Sequence, residues 1–308
     1  ELQKVGGEAA PAGQITDPVL QRMDRFANAI AATDTHLFVA CPHSAPGSVI
    51  QYDATSGDMV RIFFDPDQGG TFGASLAVLD GVLLVGDPDE TVQGHLWAGK
   101  LYAFDISTGA AVSNLTIANP DPAEGDRFGS SLACLSDAVV VGAPGDDAFE
   151  QDAGAAYRFD STTGVSEGTY GVDDPTLAGA GLGTSLAATG GHMLAGAPDV
   201  GKAFLFDAAD GSLDYTFMGS VSSDFGRGVA LMGDNAFVGA PLELIDDVPA
   251  GRVHVYDRSS GIEETALENP ERQTGEAGDF GRALAVDGMC SLAVSDPYRD
   301  AVYGFAIG

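Results

Sequence analysis

Two arginines of this chain directly follow a Phe-Gly dipeptide, and their side chains are well suited to holding an anion. These are Arg227 and Arg282, and Asn28 occupies the corresponding place in a third, degenerate copy of the motif. A guanidinium group presents a planar fork of N–H donors that fits a carboxylate or a sulfate. We therefore predict that these three residues bind an anionic group, for example on a glycan. The alternative is that each arginine pairs with a local acid, Asp224 or Asp279.

A second candidate is an acidic loop between residues 145 and 153. It carries four carboxylates within seven residues: Asp146, Asp147, Glu150 and Asp152. Calcium takes six to eight oxygen ligands, and such a loop offers enough of them if it curls around the ion. The sequence thus predicts a possible calcium site here and no other cofactor, with a solvated acidic loop as the alternative.

A third candidate is the loop from Asp89 to Ala98, which brings His95 near Trp97, the one tryptophan of the chain. An exposed indole stacks well on a sugar ring, so we predict that His95 and Trp97 contact a ligand. Alternatively, Trp97 covers the edge of a sheet.

No residues are predicted to be catalytic. The five histidines are scattered, and there is no Gly-x-Ser-x-Gly turn or paired-cysteine motif. Without a nucleophile, a base and a group to orient them, the sequence favours a protein that is not an enzyme.

The elements that position these residues are repeated. Six Phe-Gly-like dipeptides each lead to a Gly-Ala-Pro-like tripeptide, whose proline lies 16 residues after the aromatic or leucine residue in five copies and 17 in the sixth. The dipeptides begin at Phe26, Phe72, Phe128, Leu182, Phe225 and Phe280. A period of roughly 45 to 55 residues is typical of a repeat architecture.

Each repeat reads as four short strands. Residues 131–135 and 138–141 form a hairpin around Ser136-Asp137, and the third strand alternates, as in residues 203–206. The third strand ends in a turn from Asp to Gly, such as Asp53 to Gly57, and the fourth ends near an Asn-Pro or Asp-Pro pair.

This pattern predicts an all-β, six-bladed β-propeller of four-stranded antiparallel blades in one domain, residues 1–308. The repeats span approximately residues 24–69, 70–125, 126–179, 180–223, 224–275 and 276–308. The last lacks a fourth strand, so we predict that residues 1–18 complete it and protect the open edge. Seven blades would be expected if the chain is a fragment.

These motifs resemble FG-GAP repeats, as in the head of integrin α-subunits and in secreted microbial proteins. The resemblance implies a β-propeller and, more loosely, extracellular ligand binding or adhesion. Integrin-type repeats carry a calcium loop between the first two strands, but the corresponding hairpins here have only one or two acids. The family's calcium sites are therefore not expected, and the short-hairpin microbial version is the closer match.

Composition limits the partners. The chain has 308 residues, a net charge of −31 and 44% hydrophobic residues, so a nucleic acid would be repelled. No apolar run is long enough to span a bilayer. Three cysteines, Cys41, Cys134 and Cys290, are predicted to be buried and unpaired.

Three functions follow as hypotheses. We favour a non-enzymatic, secreted or cell-surface propeller that binds a glycan or protein partner. The alternatives are a structural subunit of a larger surface assembly, and a lyase-like enzyme acting on an acidic polysaccharide.

Overall fold

The structure, a computed structural model, describes residues 3–4, 25–44, 47–288 and 290–307. The protein is a six-bladed β-propeller built from four-stranded antiparallel blades, which confirms the predicted fold class. Helical structure in the described residues is confined to five 3-10 turns of three residues each. None of these helices is long or apolar enough to cross a membrane.

Blades 1 to 3 lie in one compact unit, which comprises Ala9–Ala148 and Gly154–Thr169. The first described strand, β1 (Gln3–Lys4), belongs elsewhere. Blade 1 contains β2 (Ile30–Ala32), β3 (His36–Cys41), β4 (Ser48–Asp53) and β5 (Met59–Phe64). Blade 2 contains β6 (Ser75–Leu79), β7 (Val82–Asp87), β8 (Lys100–Asp105) and β9 (Ile117–Ala118). Blade 3 contains β10 (Ser131–Cys134), β11 (Ala138–Ala143), β12 (Ala155–Asp160) and β13 (Ser166–Tyr170).

Blades 4 to 6 lie in a second unit, which comprises Tyr170–Gly308 with Glu1–Glu8 and Phe149–Ala153. Blade 4 contains β14 (Ser185–Thr189), β15 (His192–Ala197), β16 (Lys202–Asp207) and β17 (Leu213–Met218). Blade 5 contains β18 (Val229–Met232), β19 (Asn235–Ala240), β22 (Arg252–Asp257) and β23 (Glu263–Leu267), and its long loop forms the hairpin β20 (Leu244–Ile245) and β21 (Val248–Pro249). Blade 6 contains β24 (Leu284–Val286), β25 (Ser291–Asp296) and β26 (Ala301–Ala306).

The N-terminal strand completes blade 6. Strand β1 pairs antiparallel with β26, with Lys4 opposite Phe305 and Gln3 opposite Ala306. The outer edge of the last blade is therefore covered by the chain's own beginning, as predicted. The remainder of residues 1–18, including Asp17-Pro18, lies outside the described residues.

The Phe-Gly and Gly-Ala-Pro motifs recur because they pack one blade against the next. The Phe side chains of four copies (Phe72, Phe128, Phe225 and Phe280) are fully buried. The glycine that follows each Phe has a φ between +94° and +97° in these copies, which a side chain would strain. A Cβ at the first glycine of the tripeptide in blade 4, Gly196, would overlap the carbonyl oxygen of Gly226 in blade 5. Both glycines are therefore needed for close approach of neighbouring backbones.

The turn after each third strand has the form predicted from its sequence. The Asp53 carboxylate accepts hydrogen bonds from the backbone N–H groups of Thr55 (2.9 Å) and Ser56 (2.8 Å). Gly57, with a φ of +76°, donates its N–H to the Asp53 carbonyl at 2.9 Å. The hydrogen bonds to the Asp53 side chain satisfy backbone N–H groups within the turn itself, so the conformation of this turn depends on its own residues.

The cysteine prediction was only partly right. All three cysteines are free of disulfides, and Cys41 is buried. Cys290 is exposed, however, because it follows the short turn after β24 rather than lying within a strand. Cys134 is half-buried, and burial raises the pKa of its thiol to about 12.

Candidate functional site

The two predicted arginines occupy adjoining positions at the entrances to β18 and β24. A Cβ added to Gly228, which follows Arg227, would lie 2.9 Å from the carbonyl oxygen of Arg282. The repeat places both residues just before the first strand of their blades, so their backbones meet where neighbouring blades pack. The structure thus places the backbones of this pair side by side.

Each arginine forms an ion pair with the acid three residues before it. The Nε of Arg227 donates to Asp224 at 2.8 Å, and Nη1 of Arg282 donates to Asp279 at 3.2 Å. This is the local pairing that the sequence offered as the alternative. The Arg227 side chain remains 37% exposed and that of Arg282 48% exposed, so part of each guanidinium still faces solvent. Anion binding by the two arginines stays a prediction.

Asn28 lies beside the equivalent position of the next blade. Its side-chain amide donates to the carbonyl oxygen of Ala74 at 3.4 Å, and its side chain is exposed. Asn28 belongs to the unit of blades 1 to 3, whereas both arginines belong to the other unit.

The blade 2 loop holds its aromatic residue partly in solvent. Trp97 is 48% exposed and His95 is also exposed. Val92 and His95 close a tight turn through two backbone hydrogen bonds of 3.1 and 2.9 Å, and the Trp97 carbonyl accepts from the N–H of Arg127 at 2.8 Å. The backbone around the indole is therefore fixed, while Trp97 as a residue stays about half exposed.

The predicted calcium loop of blade 3 contains one acid with a structural role. Asp146 is buried; it accepts hydrogen bonds from the Tyr157 hydroxyl at 2.6 Å and from the N–H of Ala148 at 2.8 Å. Burial raises the pKa of Asp146, although these hydrogen bonds oppose the shift. Both carboxylate oxygens of Asp146 therefore already have hydrogen-bond partners. The bond from Tyr157, which lies in β12, holds this strand against the loop.

The other acids of this loop are distributed differently. Asp147 and Asp152 are exposed, and Glu150 is half-buried. Asp146 and Asp147 belong to the first unit, whereas Glu150 and Asp152 belong to the second. Calcium binding by these four residues stays a prediction.

Sequence reasoning missed an acidic cluster at the start of the blade 2 loop, where blade 1 meets blade 2. One carboxylate oxygen from each of Asp65, Asp87 and Glu90 lies within 4.8 Å of those of the other two. Asp65 follows β5, Asp87 ends β7, and Glu90 begins the loop that leads to Trp97. The available signal was Asp87 itself, which takes the alanine position of a Gly-Ala-Pro motif.

The cluster is deeply buried. Asp87 is fully buried and Asp65 is 3% exposed. Loss of hydration raises the pKa of Asp87 to about 7, and the neighbouring negative charges of Asp65 and Glu90 add to the shift. Burial likewise raises the pKa of Glu90. Charged carboxyl groups at such a site require compensation by a proton or a cation.

The nearest lysine is already engaged. The Lys100 ammonium lies 2.6 Å from Asp67, whose carboxylate also accepts from the Tyr102 hydroxyl at 2.7 Å. These two contacts hold the pKa of Asp67 below its usual value. Lys100 therefore balances Asp67, and the buried carboxyl groups of Asp65 and Asp87 remain, with that of the half-buried Glu90.

Comparison with known proteins supports the fold and the repeat. The sequence profile of the FG-GAP repeat family matches residues 114–159, in blades 2 and 3, and this confirms the resemblance predicted from the motifs. One segment of this β-propeller, residues 114–159, is thus similar to the FG-GAP repeat.

The relatives are distant. Integrin alpha-2 of Bos taurus is 29% identical over 39% of this chain, and integrin alpha-2 of Mus musculus is 28% identical over 51%. The matches cover 11% and 15% of the length of these two proteins, so the chain spans only a small part of them. The computationally designed Ika8 protein has a similar fold, with a TM-score of 0.58 and 16% identity over 91% of this chain and 70% of that chain.

Proposed function

We propose that this protein is a non-enzymatic binding propeller, secreted or at the cell surface, that recognises a glycan or a protein partner. The observation that carries the proposal is the pair of half-exposed guanidinium groups of Arg227 and Arg282. Their backbones adjoin in a protein with a net charge of −31. Each guanidinium is paired with one aspartate but keeps exposed N–H donors, and these favour an anionic ligand group.

The geometry leaves donors for a ligand. Arg227 uses Nε for its acid and Arg282 uses Nη1, and within the described residues neither guanidinium forms another hydrogen bond. The remaining N–H groups are sufficient for bidentate contact with a carboxylate or sulfate. Asp224 and Asp279 orient the guanidinium groups and lower the net charge of the site, which favours a weak or multivalent ligand.

The relatives support the general role. Likeness to integrin alpha-2 favours binding or adhesion over catalysis, and a location outside the cell. The blade 2 loop, with Trp97 48% exposed, provides a second contact region suited to a sugar ring.

A glycan array tests the proposal. Sulfated and uronate-containing oligosaccharides should bind better than their neutral counterparts. The double variant R227A/R282A should reduce that binding at least tenfold, because two charge-assisted contacts are lost. R227K/R282K, which keeps the charge but not the planar fork, should restore only part of it. R61A, on an outer strand, is the matched control and should bind as the parent does.

Other outcomes favour the alternatives. Unchanged binding in R227A/R282A would refute the arginine site. Absence of any glycan or protein ligand would favour a structural subunit, and unsaturated products from uronate polymers would identify a lyase.

A further inference from the structure

Three blades share one turn at the end of their fourth strands. An Asx-Pro pair follows each strand, and the side-chain Oδ1 of the Asx accepts a hydrogen bond from the backbone N–H two residues later. The Asx residues are Asp65, Asn119 and Asn269, and the distances are 2.9, 3.1 and 2.9 Å. The three turns are the same and each uses Oδ1. The other terminal atom of the side chain, Oδ2 in Asp65 and Nδ2 in the two asparagines, can therefore be compared directly.

Where blade 5 meets blade 6, that atom is the amide Nδ2 of Asn269, and it donates a hydrogen bond to a buried carboxylate. Asn269 donates its amide to Oδ2 of the fully buried Asp296 at 2.8 Å, and the backbone N–H of Asp279 donates to Oδ1 at 2.8 Å. Nε of Arg299 lies 3.7 Å from Oδ2. Arg299 also pairs with Glu276 at 2.7 Å, so Asp296 has an amide, a backbone N–H and a shared guanidinium around it.

Blade 2 repeats this framework, but carboxyl groups stand in place of the amide and the guanidinium. Asp87 stands at the position of Asp296, and its Oδ1 accepts the N–H of Thr71 at 2.6 Å. Asp65 replaces Asn269, and Glu90 replaces Arg299, three residues after the buried aspartate in each case. Where blade 6 has a donor and a cation, blade 2 has two more carboxyl groups.

The three carboxyl groups of blade 2 also have oxygens left over. Oδ2 of Asp65, Oδ2 of Asp87 and Oε2 of Glu90 are buried and have no hydrogen-bond partner among the described residues. Asp65 and Asp87 are both more than nine-tenths buried, and all three groups converge within 4.8 Å. Buried, unpartnered carboxylate oxygens are costly unless a ligand satisfies them.

We propose that Asp65, Asp87 and Glu90 bind one calcium ion, which supplies in blade 2 the positive charge that Arg299 supplies in blade 6. The donors are all carboxylate oxygens, which suits a hard cation rather than zinc or copper. Calcium accepts six to eight oxygens in irregular geometry, whereas magnesium demands near-ideal octahedral geometry, so carboxyl groups from separate segments of the chain suit calcium better.

The ion would fix the start of the blade 2 loop. The carbonyl oxygen of Glu90 accepts the N–H of Gly99 at 3.0 Å, which closes the loop that carries Trp97. A ligand on the Glu90 side chain therefore restrains both ends of this loop. Because Trp97 is the one tryptophan of the chain, its fluorescence reports on the loop without labelling.

The test is titration of the chelator-treated protein with calcium chloride, followed by calorimetry, Trp97 fluorescence and thermal melting. The parent should bind one ion, change its tryptophan emission and melt about 4 °C higher at a hundredfold excess over Kd. D65N and E90Q should each bind calcium at least tenfold more weakly. D58N, which removes an exposed carboxylate by the same chemical change, should behave as the parent does.

A second measurement separates loss of the site from misfolding. Without calcium, D65N should melt at a higher temperature than the parent, because its new amide donates to Asp87 as Asn269 donates to Asp296. Absence of calcium binding in the parent would overturn the proposal. So would a calcium response that D65N and E90Q retain, since it would reflect diffuse screening of an acidic surface. Tighter binding of magnesium than of calcium would overturn the assignment of the ion.

Discussion

Placing an aspartate at Asn269 should destabilise blade 6 in a way that depends on pH. The amide of Asn269 lies 2.8 Å from Oδ2 of the buried Asp296, so N269D would bring two carboxyl groups into contact. Two charges at this distance repel by about 6 kcal/mol at an effective dielectric constant of 20. Protonating one of the two carboxyl groups costs less free energy than this repulsion. The cost of protonation therefore sets an upper limit on the loss of stability.

The limit can be calculated. Holding a proton on an aspartate with an unfolded pKa of about 3.9 costs about 4 kcal/mol at pH 7 and about 1.5 kcal/mol at pH 5. The folded pair has a raised pKa, so the destabilisation is fully present at high pH and disappears below the unfolded pKa. For a chain of this length, about 4 kcal/mol corresponds to a loss of about 6 °C in Tm.

The assay is thermal melting of the parent and N269D at pH 7 and pH 5. The loss in Tm should be about two to three times larger at pH 7. N28D, which makes the same change at an exposed residue, should cost little at either pH. An equal loss for N269D at both pH values would refute the argument, because it would show that the new carboxyl group is hydrated rather than paired with Asp296.

Two further predictions concern the packing and the turns. F225A removes a fully buried ring from the contact between blades 4 and 5 and should lower the free energy of unfolding in urea by about 3 to 5 kcal/mol. The control V302A, at a position 70% exposed, should lower it little. Similar losses in the two variants would contradict the packing assigned to the Phe-Gly motif. The Asp105 carboxyl should titrate in NMR with a pKa of about 2, because hydrogen bonds from Ser107 and Thr108 stabilise its charged form. Its contribution to stability is then present above the unfolded pKa and is lost as the pH falls toward 2; S107A should raise the pKa, and an unchanged value would contradict the turn geometry.

Local rules predicted the strands and turns. The Asp-to-Gly turns follow from side chains that bond their own backbone, as the Asp53 contacts show. The repeat of Phe-Gly and Gly-Ala-Pro predicted the blades because a buried ring and close backbones are needed once in every blade. The pairing of β1 with β26 followed from counting the strands of the last repeat.

The candidate sites were predicted less completely. The motif spacing predicted adjoining backbone positions for Arg227 and Arg282, and the backbones do adjoin. Their ion pairs with Asp224 and Asp279 depend on side-chain orientation, which spacing does not specify. Asp146 looked like a metal ligand beside other acids, yet its two oxygens accept hydrogen bonds from Tyr157 and Ala148.

The sequence by itself determined the repeat, the six four-stranded blades and the N-terminal strand that completes the last one, because these depend on short-range patterns that recur. Only the tertiary structure decided where charge accumulates. Asp65 and Asp87 lie 22 positions apart in the chain and belong to neighbouring blades. Their carboxyl groups meet because the packing of one sheet against the next removes both from water. The sequence marks Asp87 as unusual for its motif position, but it does not record the contact with Asp65.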